Sequence, residues 1–169
     1  MSTRQPSAAE QQSSATDESQ PEVALPPAHE DDFLEYLTGD WAGKYVFGEV
    51  EFDATAEVRW AFNHQFVRGI NMSRGSVGLA ESQEIWQPTD EEGKYRVWWF
   101  DSWGNAGVAE GESTPTGFII HGDDPLFGSF RNVGTRNGSD ELQFSLETGP
   151  DEDGEYTQIG GGYYRRVTS

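Results

Sequence analysis

From Trp41 to the end of the chain, apolar and polar residues alternate with a period of two, and helical spacing does not return. In the stretch Phe52 to Phe62, Ala54, Ala56, Val58, Trp60 and Phe62 fall on one face, and Thr55, Glu57 and Arg59 on the other. Successive side chains of a strand point to opposite sides, so this alternation reads as a half-buried strand. The same reading covers Trp41 to Val50, Gln65 to Gly75, Glu81 to Gln87, Lys94 to Asp101, Asn105 to Ser113, Gly117 to Gly122, Phe127 to Gly134, Glu141 to Glu147 and Glu155 to Val167. About ten strands, spaced by roughly 8–14 residues and joined by Gly- and Asp-rich turns, describe an antiparallel meander. A sheet of that length exposes two edges unless it closes on itself. The expected fold is all-β: a closed antiparallel up-and-down barrel of about 8–10 strands. A two-sheet sandwich is the runner-up.

One short helix precedes the strands. Phe33, Leu34 and Leu37 fall on one helical face, Asp31 or Asp32 can cap its start, and Gly39 ends it. Residues 1–30 are rich in Ser, Gln, Glu, Ala and Pro, contain no aromatic residue, and are expected to be a disordered acidic tail. The barrel domain is expected over residues 31–169.

The formal charge of −19 disfavours nucleic acid and anionic membrane as partners. Two lysines stand against nine arginines and thirty acids, a balance that suggests a halophilic protein kept soluble in high salt. There is no cysteine, so disulfides and thiolate metal sites are excluded. The N-terminus lacks the apolar core of a signal peptide, and the expected location is the cytoplasm.

The ends of the domain match each other. Gly39-x-Trp41 opens it and Tyr164-x-Arg166 closes it. A Gly-x-Trp in the first strand with an arginine in the last resembles the calycin superfamily, where the arginine lies across the tryptophan and seals the barrel floor. Alternation allows Arg165 or Arg166, and Arg166 is favoured. The run Tyr95-x-x-x-Trp99-Phe100-Asp101-Ser102-x-Gly104, with Gly111, Gly117-Phe118 and Phe130-Arg131, resembles the uncharacterised lipocalin-like family known as DUF1579. The resemblance spans about residues 33–169. It implies a small β-barrel and no settled activity.

The expected function is binding of a small, mostly apolar molecule, with an anionic head an added option. Trp60, Phe66, Trp99 and Phe118 are candidate cavity walls. Gly107, Ala109 and Gly111 form a small-residue face that leaves room for a ligand or for a bulky neighbour. Arg68 and Arg131, if their faces look inward, are anchors for a carboxylate. Trp98 and Trp99 must point to opposite faces, and the outer one is expected to pack on the helix or on a partner subunit, which allows a homodimer. The alternative is an isomerase- or cyclase-type enzyme working through a buried carboxylate, with Asp101 and Glu110 as the candidates. A carboxylate inside the cavity with no arginine partner would favour it. Two further alternatives are a haem-binding nitrobindin-like barrel and a filled, purely structural or self-associating one. His64 and His121 read as rim residues, and neither metal nor cofactor is expected.

Overall fold

The computed structural model describes residues 24–168, which form one short helix, α1 (Asp32–Leu37), and ten strands. The strands are β1 (Gly39–Phe47), β2 (Val50–Ala61), β3 (Phe66–Gly75), β4 (Gly78–Pro88), β5 (Lys94–Asp101), β6 (Ala106–Thr114), β7 (Gly117–Asp124), β8 (Gly128–Asn137), β9 (Glu141–Thr148) and β10 (Thr157–Arg166). Each pairs antiparallel with its chain neighbours, and β1 pairs with β10, so the barrel closes and leaves no edge strand among the described residues. The up-and-down barrel is therefore the fold, and the sandwich is excluded.

Most of the expected tail, residues 1–23, lies outside the described residues. Its last part is described and is hydrogen-bonded. The carbonyls of Pro26 and Pro27 accept from Asn63 and Gln65, and the His29 N–H donates to the carbonyl of His64 at 3.2 Å. The receiving β2–β3 turn places Phe62, Asn63 and His64 at φ of 50°, 56° and 57°, a left-handed run that L-residues rarely adopt.

The helix closes one end of the barrel. Asp31 caps it, its side chain accepting from the N–H of Leu34 at 2.8 Å. Phe33, Leu34 and Leu37 are buried, and the Phe33 ring packs on Trp86, Tyr95 and Phe118 at centroid distances of 5.8, 5.4 and 5.8 Å. Burying three such side chains contributes roughly 1.5–3 kcal/mol each, enough to hold a six-residue helix that would not form alone. Arg166 lies opposite Trp41 across the β1–β10 seam, and its guanidinium covers the indole at 4.2 Å. It also donates to the carbonyls of Tyr36 and Thr38 at the helix C-terminus. The Trp41 Nε1–H donates to the Leu37 carbonyl at 2.9 Å.

The inner wall is set by strand phase. On β1, β2, β5, β6 and β9 the inward faces are those on which the apolar or small residues alternate. On β3 and β8 the phase is the reverse of the expectation. Val67, Gly69, Asn71 and Ser73 face inward on β3, while Arg68 is exposed on the outer wall. Asn132 and Gly134 face inward on β8, while Arg131 lies outside, paired with Glu147 and stacked 3.8 Å from the Tyr156 ring. Neither arginine reaches the interior. Trp99 points inward. Trp98 points outward into a shallow groove beside Phe66, with ring centroids 6.4 Å apart, and not onto α1.

Candidate functional site

The barrel interior holds two compartments, one above the other. The lower, about 220 Å³, rests on Leu37 and Trp41 of the floor and is ringed by Tyr45, Trp86, Phe118, Phe144 and Tyr164. The upper, about 540 Å³, is lined mainly by apolar side chains, among them Phe52, Val97, Trp99, Ile120, Phe130 and Leu146. Tyr45, Ser82, Glu84 and Asn132 border both and form the waist between them. The upper compartment reaches the end of the barrel opposite α1. There Phe47 and the turns carrying Val77, Trp103 and Leu126 surround it with exposed apolar side chains.

Glu84 is the central feature of the waist. It sits on β4 between Gly69 of β3 and Trp99 of β5. A Cβ at Gly69 would meet only Val58, at 3.8 Å, so the space beside the carboxyl stays open. Protein surrounds the carboxyl, and the part of Glu84 that a solvent probe can touch faces the cavity. Burial pushes its pKa above the usual carboxylate range, and a 3.2 Å hydrogen bond from Trp86 Nε1 only partly opposes this. Among the described residues, no lysine, arginine or histidine lines either compartment, whereas Glu84, Asp101 and Asp124 do. Two side chains of the wall carry a buried polar atom with no partner, Trp99 Nε1 and Asn132 Oδ1. Burial also raises the pKa of the Tyr164 phenol, with Tyr45 and Glu84 near enough to add to the effect. The Tyr45 hydroxyl donates to Ser73 Oγ at 3.0 Å.

The structure scatters the side chains singled out from sequence. Trp99 lines the upper compartment and Phe118 the lower. Ala109 is buried on the inner face but lines neither compartment. The room beside its small-residue face is taken by neighbours: a Cβ at Gly107 would meet the Trp99 ring at 2.7 Å, and one at Gly122 would meet Ala109 itself at 2.9 Å. Trp60 sits at the closed end, donating to Glu35 at 2.8 Å and stacking on His64. Phe66, Arg68 and Arg131 are on the outer wall. Asp101 borders the upper compartment, but its carboxylate is occupied by the β5–β6 turn, accepting from the N–H groups of Trp103 and Asn105 and from the Asn105 side chain. Glu110 lies in an outer groove with His121. Neither His64 nor His121 borders the cavity, so the described interior lacks the imidazole a haem iron would need.

Strand alternation does not single out Glu84. Its face of β4 reads Ala80, Ser82, Glu84, Trp86, and the opposite face reads Glu81, Gln83, Ile85, Gln87. Both are mixed, so alternation alone does not tell which one is buried.

No protein-family model matches this chain, and no curated protein matches it. Solved structures do. The chain is similar to the crystal structure of Rv2717c from M. tuberculosis, with a TM-score of 0.62 and 15% identity, covering 80% of this chain and 95% of that one. It also matches a de novo designed fluorescence-activating β-barrel at a TM-score of 0.47 and 14% identity, covering 82% of this chain and all of that one. The first likeness shows that the two chains share a fold. Among the described residues, no helix is long and apolar enough to cross a membrane.

Proposed function

We propose that this protein binds a small, mostly apolar molecule inside the barrel, admitted through the end opposite α1. The observation that carries the reading is the open upper compartment of about 540 Å³ with its largely apolar wall. That volume lies within the range of small-molecule sites, roughly 300–1,000 Å³. A barrel built only for stability would be expected to fill this space with side chains, as small barrels do. Arg68 and Arg131 play no part in this reading. The anionic head they were expected to anchor has no cation to meet it among the described residues of the interior.

We also place the chain, as a proposal, in the lipocalin-like DUF1579 family. The support is the Trp41–Arg166 floor contact together with the Trp99–Gly104 turn region. A cytoplasmic location, with neither nucleic acid nor membrane as partner, belongs to the same proposal and rests on the charge of −19.

The test is intrinsic tryptophan fluorescence titrated with medium-chain alkyl compounds, read through Trp99 and Trp86. Ser82→Phe, placed at the waist, is expected to abolish binding with the barrel intact by circular dichroism. Arg68→Met and Arg131→Met are expected to leave it unchanged. If nothing in the series perturbs the tryptophans, the binding reading fails.

Glu84 favours a second reading, an enzyme. A neutral carboxyl in a closed, partly apolar site can donate a proton to a substrate and take it back, as an isomerase or cyclase requires. Burial raises the pKa of the Tyr164 phenol beside it, and among the described residues no lysine, arginine or histidine lines the cavity to complete an acid–base pair. For that reason binding ranks first. Chemical conversion of a bound ligand that Glu84→Gln abolishes, with affinity retained, would reverse the order.

A further inference from the structure

We infer that the head group received at the waist of the barrel is an organic cation, an ammonium on an apolar tail, with Glu84 as its counter-ion. The inference rests on the binding reading above and adds the chemical class of the ligand.

Three features of the geometry converge on it. First, Glu84 is a carboxyl aimed into a cavity whose described wall carries no cation, so any positive charge that pairs with it must come from the ligand. Second, the compartment beneath it is an aromatic box. Trp41, Tyr45, Trp86, Phe118, Phe144 and Tyr164 present ring surface to a space of about 220 Å³. Ring faces are electron-rich and attract ammonium groups, most strongly where water is excluded. Third, the remaining polar atoms at the waist include acceptors. Asn132 Oδ1 is buried without a donor, and Ser82 is on the wall that both compartments share. The N–H groups of an ammonium at the waist would meet the Glu84 carboxylate.

Charge along the entry route has the same sign. Asp101 and Asp124 border the upper compartment, and the chain as a whole carries −19. Such a field draws cations toward the mouth and repels carboxylates. Two arginines, Arg136 and Arg166, pack against the rings of the floor. Arg166 is covered by Trp41, and Arg136 is sandwiched between Phe33 and Tyr36. Neither borders either compartment.

The groups around Glu84 set the pH behaviour. They are the indole of Trp86 on its own strand, Gly69, Asn71 and Ser73 of β3, Trp99 and Asp101 of β5, Asn132 of β8, and the phenols of Tyr45 and Tyr164 across the cavity. None is cationic, so nothing in the wall offsets the burial that raises the Glu84 pKa. An ammonium ligand pairs with the ionised carboxylate and so favours loss of its proton. Its binding should release protons to the buffer and strengthen as pH rises.

The experiment titrates the whole protein with three probes of one chain length, octylamine, octan-1-ol and octanoate. The readouts are tryptophan fluorescence and calorimetry at about 0.5 M KCl, where the surface field is screened to a few ångströms. The expected result is octylamine about tenfold or more tighter than octanol, with octanoate weakest. The amine's affinity should rise between pH 5 and pH 8 while the alcohol's stays flat. Glu84→Gln should bring amine and alcohol within about twofold of each other and remove the pH dependence. Amine and alcohol binding equally to the unaltered protein would overturn the cation inference and leave the binding reading standing. So would an amine preference that survives in Glu84→Gln. If none of the three probes binds, both readings fall.

Discussion

Trp41 and Arg166 face each other across the strand seam that closes the barrel, with the guanidinium carbon 4.2 Å from the indole ring. Arg166 is also tied to the helix end through the Tyr36 and Thr38 carbonyls. One side chain therefore fastens three parts of the fold: the first strand, the last strand and the helix that forms the floor.

Removing either partner should weaken all three attachments. Trp41→Ala is expected to cost about 3–5 kcal/mol, the usual range for a buried large aromatic. Arg166→Ala should cost less, since much of that side chain is near solvent. A double-mutant cycle by urea denaturation should give a coupling of about 0.5–2 kcal/mol. Additive losses would show that the stacking contributes nothing beyond burial.

Glu84 makes stability depend on pH in a defined direction. Its folded pKa is raised above the ordinary 4.5 by burial, so the folded protein holds this proton more tightly than the unfolded chain does. Below about pH 4.5 both states carry the proton and the carboxyl exacts no penalty. As pH rises past that point the unfolded chain ionises first, and stability falls until the folded pKa is passed. Glu84→Gln, neutral at every pH, should melt within about 2 °C of the unaltered protein at pH 4 and several degrees higher at pH 8. Equal melting at both values would mean that the carboxyl is not raised.

Gly134 is a tight position of the inner wall. A Cβ there would meet the Phe118 ring at 2.1 Å, and Phe118 is itself buried against Phe33 and Trp86. Gly134→Ala is therefore expected to destabilise by about 1–3 kcal/mol through overpacking. Gly69→Ala, where the nearest atom is 3.8 Å away, should be well tolerated. Thermal melts of the two variants side by side make the comparison.

The acid excess should show in salt. With thirty acids against eleven basic side chains, repulsion destabilises the compact state at low ionic strength. The melting temperature is expected to rise between dilute buffer and about 2 M KCl. A maximum in dilute buffer would remove the halophilic reading.

The outline of the fold was legible because strand period is a local property. The change from helical spacing to alternation after Leu37 marked the helix and the start of the sheet, and all ten expected strands overlap those observed. The cap of α1 was readable to Asp31 or Asp32 and the partner of Trp41 to Arg165 or the favoured Arg166, because each depends on residue type and position, and the structure selects Asp31 and Arg166.

Phase was not readable in the same way, and the site depends on phase. On β3 the larger apolar side chains, Phe66, Ile70 and Met72, are on the outer wall, while Gly69, Asn71 and Ser73 face in. Hydrophobicity points outward there because the waist of the barrel is polar. The same inversion on β8 put Asn132 inside and Arg131 outside. Sequence by itself determined the all-β class, where the strands lie and that a Trp41–arginine pair could meet at the ends of the domain, and closure between β1 and β10 decided the barrel over the sandwich. Only closure of the barrel decided that Glu84, Asn132 and the aromatic ring around them converge from β1, β4, β7, β8, β9 and β10 on one cavity. Their proximity is set by strand tilt and register around the cylinder, and no spacing along the chain encodes it.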